Sequence, residues 1–425
     1  MKLAVMMVAA VLSNGMAVAE PADVAPNVLT QYLQSQHISG TLRMNYYQSS
    51  KNRDDNADFF GATAQFKALP DLTETINGKV EARVTNPSPG DGGHTESELL
   101  EGYVTAHFET SDLRIGKQII AWGRADGINP TDNLTPRNFM VMLPFEDDQR
   151  FGTTALKFDG YLSSERTLSI FMTPFFEPSK IPFPADASLK RQAIARSLSN
   201  SELGLKFDQR GEGFDASLSY FHGFSLLPDM RVTGVDVLGP ILELHYDKIN
   251  VFGADFARNF GRFGFRGELV YVDTIDDAGQ DPGIKNPYLF WILGIDRTFF
   301  ENLNVNLQFF QRQVRRFHNA KDITDYVARS IAIQNAIVDG QQDRISHGIS
   351  FRVSNKWFND TLEAEIFVVV NTTRHDSFTR PLLTYAFSDH WKGTVGAELY
   401  HGVSGTQFGN LKENRGALAE LRYSF

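Results

Sequence analysis

The sequence predicts a transmembrane antiparallel β-barrel of about 18 strands, with short periplasmic turns and long external loops. Three observations carry that expectation. Segments of alternating polarity fill the chain after residue 37, their connections switch between long and short, and the final strand ends on an aromatic residue. Successive side chains of a strand point to opposite faces. A barrel wall therefore needs only every second residue apolar, which a chain of modest hydropathy can supply.

In chain order, the first element is a leader. Lys2, the apolar run at 3–12 and Ala17-Val18-Ala19 form a basic head, a short hydrophobic stretch and an A-x-A cleavage site, so residues 1–19 read as a signal peptide. The run is too short to span a bilayer. Residues 20–37 read as a short periplasmic segment, with Asn27 placed to cap a helix bearing Val28, Leu29, Tyr32 and Leu33. Such a segment is too small for the plug domain of a gated, energy-coupled receptor.

Residues 38–425 form the barrel. Candidate strands lie near 38–50, 59–70, 75–87, 98–110, 112–123, 152–163, 166–177, 201–209, 214–226, 242–259, 262–273, 286–299, 303–317, 344–356, 361–373, 379–388, 392–403 and 415–425. Short connections fall at 71–74, 164–165, 209–213, 259–261, 300–302, 356–360 and 388–390, and long ones at 124–151, 177–200, 227–241 and 318–343. An even strand count with this alternation places both termini in the periplasm. Two long loops have helical spacing: 322–338, through Ile323, Tyr326, Val327, Ile331 and Ile337, and 188–198, where Leu189, Ile194 and Leu198 accompany Lys190, Arg191 and Arg196.

Parity assigns the faces. Outward sets include Ile76, Val80, Ala82 and Val84, then Leu203, Leu205 and Phe207, then Leu362, Ala364, Ile366, Val368 and Val370. The opposite parity is charged and cannot face lipid, because unpaired charge in hydrocarbon is costly. It assigns Arg43, Lys79, Glu81, Arg83, Arg114, Arg266, Glu268, Arg312, Arg352, Glu363, Glu365, Glu420 and Arg422 to the lumen. Counted with Lys67, Lys157 and Lys206 and with Glu101, Asp159, Glu202, Asp208, Asp215, Asp296 and Glu398 on the same faces, the two signs nearly cancel, which predicts a water-filled, weakly selective pore. Aromatics gather at strand ends as interface girdles do: Phe299, Phe300, Trp357, Phe358, Trp391, Tyr423 and Phe425 on the periplasmic side, and Tyr46, Tyr47, Phe59, Phe60, Phe175, Phe176 and Phe224 outside.

Composition excludes several functions. The net charge of −10 argues against a nucleic-acid partner, and cysteine is absent, which removes disulfides and thiolate chemistry. There is no G-x-S-x-G, H-E-x-x-H or C-x-x-C-H motif, so no catalytic residue, metal or cofactor is assigned. Oxygen ligation of a divalent cation by Asp126, Asn129 and Asp132 lacks a calcium-loop motif.

The densest polar cluster opens the loop after the fifth strand. Arg124, Asp126, Asp132, Arg137, Glu146, Asp147, Asp148 and Arg150 share it with Pro130, Pro136, Gly123 and Gly127, residues that stiffen and turn a backbone. Fixed charges in a narrow throat focus field on a passing solute. Arg124, Asp126, Asp132, Arg137, Asp147, Asp148 and Arg150 are therefore the candidate constriction.

The pattern R-x-G-K-Q-x-x-x-W-G from Arg114, followed by D-x-x-N-P-x-D from Asp126, resembles porin-like outer-membrane proteins related to the alginate-export type of barrel. The ending at Tyr423 and Phe425 is similar to the C-terminal signal of Gram-negative outer-membrane barrels. The resemblance implies an outer-membrane location, contact with its lipid, recognition of the C-terminal strand by the barrel-assembly machinery, and passive passage of small or medium polar solutes. In general porins the third external loop, the place of this cluster, folds into the channel. An alginate exporter is expected to have an arginine-rich lumen, and the mixed lumen here departs from that. Export of an anionic polysaccharide and an outer-membrane enzyme remain the alternatives.

Overall fold

The computed structural model describes residues 37–49, 58–86, 94–181, 189–237 and 239–425. The expected signal peptide and the Asn27-capped helix lie outside the described residues. Eighteen strands close the wall. They are β1 (Ser39–Ser49), β2 (Asp58–Ala68), β4 (Ile76–Asn86), β5 (Glu96–Phe108), β6 (Ser111–Gln118), β7 (Thr153–Ser163), β8 (Arg166–Thr173), β10 (Glu202–Gly211) and β11 (Phe214–Phe224), then β14 (Lys248–Phe260), β15 (Phe263–Thr274), β16 (Tyr288–Phe299), β17 (Leu303–Val314), β18 (Ile345–Trp357), β19 (Leu362–Asn371), β20 (Asp376–Ala386), β21 (Trp391–His401) and β22 (Gly416–Ser424). A three-residue strand β3 (Asp71–Thr73) extends one turn. Three further strands, β9 (Lys190–Arg191), β12 (Asp229–Asp236) and β13 (Gly239–His245), form a small separate sheet in the external loops.

Each wall strand pairs antiparallel with its neighbour, and β1 pairs with β22 from Thr41 opposite Ser424 to Ser49 opposite Gly416. Closure leaves no open edge, which hydrocarbon requires because an exposed backbone group there has no partner. Phe425 completes the join. Its N–H donates to the Gly40 carbonyl at 3.1 Å and its carbonyl accepts from the Gly40 N–H at 3.0 Å, while its ring lies 6.0 Å from that of Phe66.

Strand alternation decides which side chains go where. Val80, Leu203, Leu205, Leu307 and Ile366 are exposed on the outside, whereas Arg83, Asp208, Glu268 and Gln308 are buried inside. One bulge breaks the rhythm. Glu81 lies opposite Glu101 but Ala82 lies opposite Leu99, so Leu100 is extra and both Leu100 and Glu101 are buried.

The structure corrects three expectations. The strand expected at 242–259 is two strands, because the chain turns at Tyr246 and Asp247: Asp247 binds Arg231 and its carbonyl accepts from Ser225. The apolar parity also changes there, from Leu242 and Leu244 to Ile249 and Val251. The segment 188–198 is not helical over its described residues. Lys190 and Arg191 pair in parallel with Glu243 and Leu244, and Gln192 N–H donates to Leu244 O, so the backbone bonds to β13 instead of to its own preceding turn. Phe176 and Phe224 cluster with Tyr246 at the loop ends of their strands, Phe176 at 5.0 Å from Phe224 and 5.2 Å from Tyr246. The inner face is also not uniformly polar. Phe171, Phe221, Val251, Val270 and Val272 turn inward and pack on Ile120, Trp122 and Leu134 of the third external loop.

The other helical expectation holds as α1 (Tyr326–Val338), capped by the Asp325 side chain, which accepts from Ala328 N–H at 2.8 Å. Asn335 docks it to the small sheet, accepting from Met230 N–H at 2.8 Å and donating to Met230 O at 3.0 Å.

Candidate functional site

The third external loop, residues 119–152, folds into the barrel and meets the wall at mid-height. Its first anchor is local: Thr135 Oγ1 accepts from Ile120 N–H at 2.9 Å and donates to Ile120 O at 2.7 Å. Trp122, buried against Phe171 at 5.6 Å, turns the chain inward. The loop then crosses to β15, where one carboxylate holds it. Glu268 accepts from Arg124 N–H and Ala125 N–H, both at 2.6 Å, from Thr131 N–H at 3.1 Å and from Thr131 Oγ1 at 2.9 Å. Gly127, at φ +75°, passes so close to Phe367 that a Cβ would lie 2.7 Å from the ring.

Every residue of the expected constriction lies on this inward loop, and most of their charges are spent on pairs. Arg124 binds Asp208 at 2.5 Å and also Asp255. Asp126 meets Arg352 at 3.0 Å, and Arg352 reaches Glu365 at 3.0 Å. Asp132 takes Arg150 at 2.6 Å and Arg137 at 3.4 Å. Asp148 binds Arg43 at 2.8 Å, and its carbonyl accepts from Arg83 at 2.5 Å. Asp147 differs: its side chain is 97% exposed, with Arg150 at 3.7 Å. Asp126, Asn129 and Asp132 do not converge as an oxygen cage, because Asn129 donates to the Trp122 carbonyl and both acids face arginines.

Most of the assigned lumen residues have a charged partner of their own. Lys79 lies between Glu81 at 2.8 Å and Glu101. Arg83 binds Glu98 at 2.7 Å, Arg266 binds Asp296 at 3.1 Å, and Glu420 has Arg43 at 3.7 Å and Arg422 at 4.0 Å. Arg114 lies 4.4 Å over the Tyr103 ring, and Glu363 stands opposite Lys356 in register. Arg312 lies over Tyr288 and Phe290.

Several anchors escaped sequence reasoning. Gln308 is wholly buried, and with its amide turned to suit its neighbours it donates to Asp126 O at 2.6 Å and accepts from Asp126 N–H at 2.8 Å. Arg380 binds Glu146 at 2.8 Å, and Asp255 holds Arg124 and Ser217. Strand parity marks all three wall residues as inward, yet nothing local says which loop atom each meets.

Above the loop is an external cavity of about 460 Å³, bounded by loop residues Gly127, Asp132 and Arg137, wall residues Tyr288, Phe290, Phe310, Arg312 and Phe367, and the end of α1. Its rim is held by a buried triad in which Lys285 contacts Asp339 at 2.8 Å and Asp229 at 3.4 Å. Burial drives the Asp229 carboxyl well above its ordinary range and the nearby Asp339 adds to the rise, against the pull of Lys285. Lys180, beside the loop, donates to Glu96 at 2.8 Å and Glu98 at 2.9 Å. Burial opposes its charge, but those bonds hold its pKa above the ordinary lysine value.

Solved structures share this architecture. OccAB4 and OccAB1 of Acinetobacter baumannii superpose with TM-scores of 0.54 and 0.55, each at 12% identity, covering 91% of this chain and 97% and 96% of theirs. OpdK of Pseudomonas aeruginosa, solved with vanillate, superposes with a TM-score of 0.54 at 9% identity, over 91% of this chain and 98% of its own. At such identities the likeness fixes the fold alone, a closed antiparallel β-barrel like those of these porins. The finer likeness to alginate-export barrels gains nothing from it. Residues 29–283 match a family model described as "Protein of unknown function (DUF1302)". No curated protein matches the chain.

Proposed function

This chain belongs to the DUF1302 family, and we propose that it is an outer-membrane channel passing small solutes passively past its inward-folded third loop. One observation carries the reading: the loop is tied to the wall at β15, β18, β20 and β1 beneath an external cavity of about 460 Å³. A rigid constriction under a vestibule, lined by charges of both signs, is the arrangement by which a pore selects solutes by size and field. Its surroundings are outer-membrane lipid, and the assembly machinery reads its C-terminal strand.

The test is reconstitution of the mature protein in planar bilayers. Discrete conductance steps with weak ion selectivity, and swelling of loaded liposomes in small polar solutes, are expected. No conductance at all overturns the channel, and a strong preference for anions favours polysaccharide export instead. Because most loop charges are paired, reversing the exposed Asp147 is the cleanest probe of selectivity. It should shift the permeability ratio more than reversing Glu363 on the wall does.

A further inference from the structure

We propose that the external cavity is a binding site for a monoanion with a flat apolar body, its anionic group held by Arg312. This rests on the channel reading and names its solute class. Four cations line the cavity, and three have carboxylates: Lys285 has Asp339 and Asp229, Arg137 has Asp132, and Arg374 has Asp343. Arg312 is different. Among the described residues no carboxylate lies within 4.0 Å of it. It donates to the Asp339 carbonyl, and its Nε is buried without a hydrogen-bond partner.

A partly buried guanidinium with no counter-ion is costly to keep, and an incoming carboxylate would supply the missing charge. Arginine suits that task because its planar fork matches a carboxylate. The surroundings select the remainder of the ligand. The guanidinium lies 5.0 Å over the Tyr288 ring and 4.6 Å over that of Phe290, and Phe310 and Phe367 continue the apolar surface into the cavity. Ring faces gain from covering by another flat apolar group, whereas a fully hydroxylated sugar would leave its own polar groups unpaired against them. The volume lies within the range of small-ligand sites.

A purely structural role is the competing account, with Arg312 serving only to hold the end of α1 through Asp339. Calorimetric titration of the detergent-solubilised protein separates the two, using 3-phenylpropionate and its neutral analogue 3-phenylpropanol. The acid should bind at least about ten times more tightly than the alcohol, the discrimination of one charge-assisted contact. Arg312→Gln should erase that difference while the barrel keeps its heat-modifiable mobility, and Arg312→Lys should retain part of it. Equal binding of acid and alcohol, or an acid preference unchanged in Arg312→Gln, overturns the proposal. If Arg312→Gln does not assemble, the comparison on the unaltered protein decides alone. Conductance without acid preference defeats this site and leaves the channel standing. Acid binding without conductance does the reverse.

Discussion

Replacing Glu268 with glutamine should release the third loop from the wall. The carboxylate accepts four hydrogen bonds from the loop, three from backbone N–H groups and one from Thr131 Oγ1. A bond to an ionised acceptor contributes about 1.5–3 kcal/mol. The amide nitrogen of glutamine accepts none and would face donors, so at least one oxygen's share of two bonds is lost. Additivity fails among bonds sharing an acceptor, and Arg124 keeps its ties to Asp208 and Asp255. A loss of about 3 kcal/mol for loop opening is therefore the expected scale, roughly a hundredfold in the opening equilibrium. Hydrogen exchange with mass-spectrometric detection should show residues 123–131 exchanging about a hundredfold faster, with the wall strands unchanged. Single-channel records should become noisier. If exchange in 123–131 stays at the wild-type rate in an assembled barrel, Glu268 does not hold the loop.

Three further outcomes follow from the same geometry. A carboxyl raised in the folded state stabilises below its unfolded pKa, near 3.8 for Asp229, and loses that stability as pH rises toward its folded value. Opening around 229–231 and 283–286, read by exchange corrected for intrinsic rates, should therefore increase as pH climbs from about 4; Asp229→Asn should flatten the slope, and an unchanged slope would discount the triad. Gly127→Ala combines a left-handed backbone penalty of about 1–2 kcal/mol with a Cβ driven against Phe367, so conductance should change while assembly persists; identical channels in the variant would show that the loop yields there. Deleting Phe425 removes the last hydrogen-bonded pair between β22 and β1 and should slow assembly into the heat-modifiable form; normal assembly would make the terminal aromatic incidental.

Much of the wall was legible because hydrocarbon imposes one rule on every strand. Leu203 and Leu205 had to alternate with Glu202 and Lys206. The strands expected at 112–123 and 166–177 end earlier, at Gln118 and Thr173, and the merged strand at 242–259 arose where two strands with apolar alternation met at the Tyr246–Asp247 turn. The loops were less legible. Helical spacing was correct at 326–338, where Asp325 supplies a cap, and failed at 188–198, where a neighbouring strand offered the backbone its hydrogen bonds.

The sequence by itself determined the barrel, its topology and the place of the inward loop, because strand periodicity and loop length are local properties. It also placed Arg124, Asp126, Asp132 and Asp148 in that loop. Only the tertiary structure decided that these charges are bound to Asp208, Asp255, Arg352, Arg150 and Arg43, so that they brace the loop, and that Arg312 has no carboxylate beside it among the described residues. Parity says that a side chain faces the lumen, but its partner is set by where closure of the barrel brings strands more than a hundred residues apart.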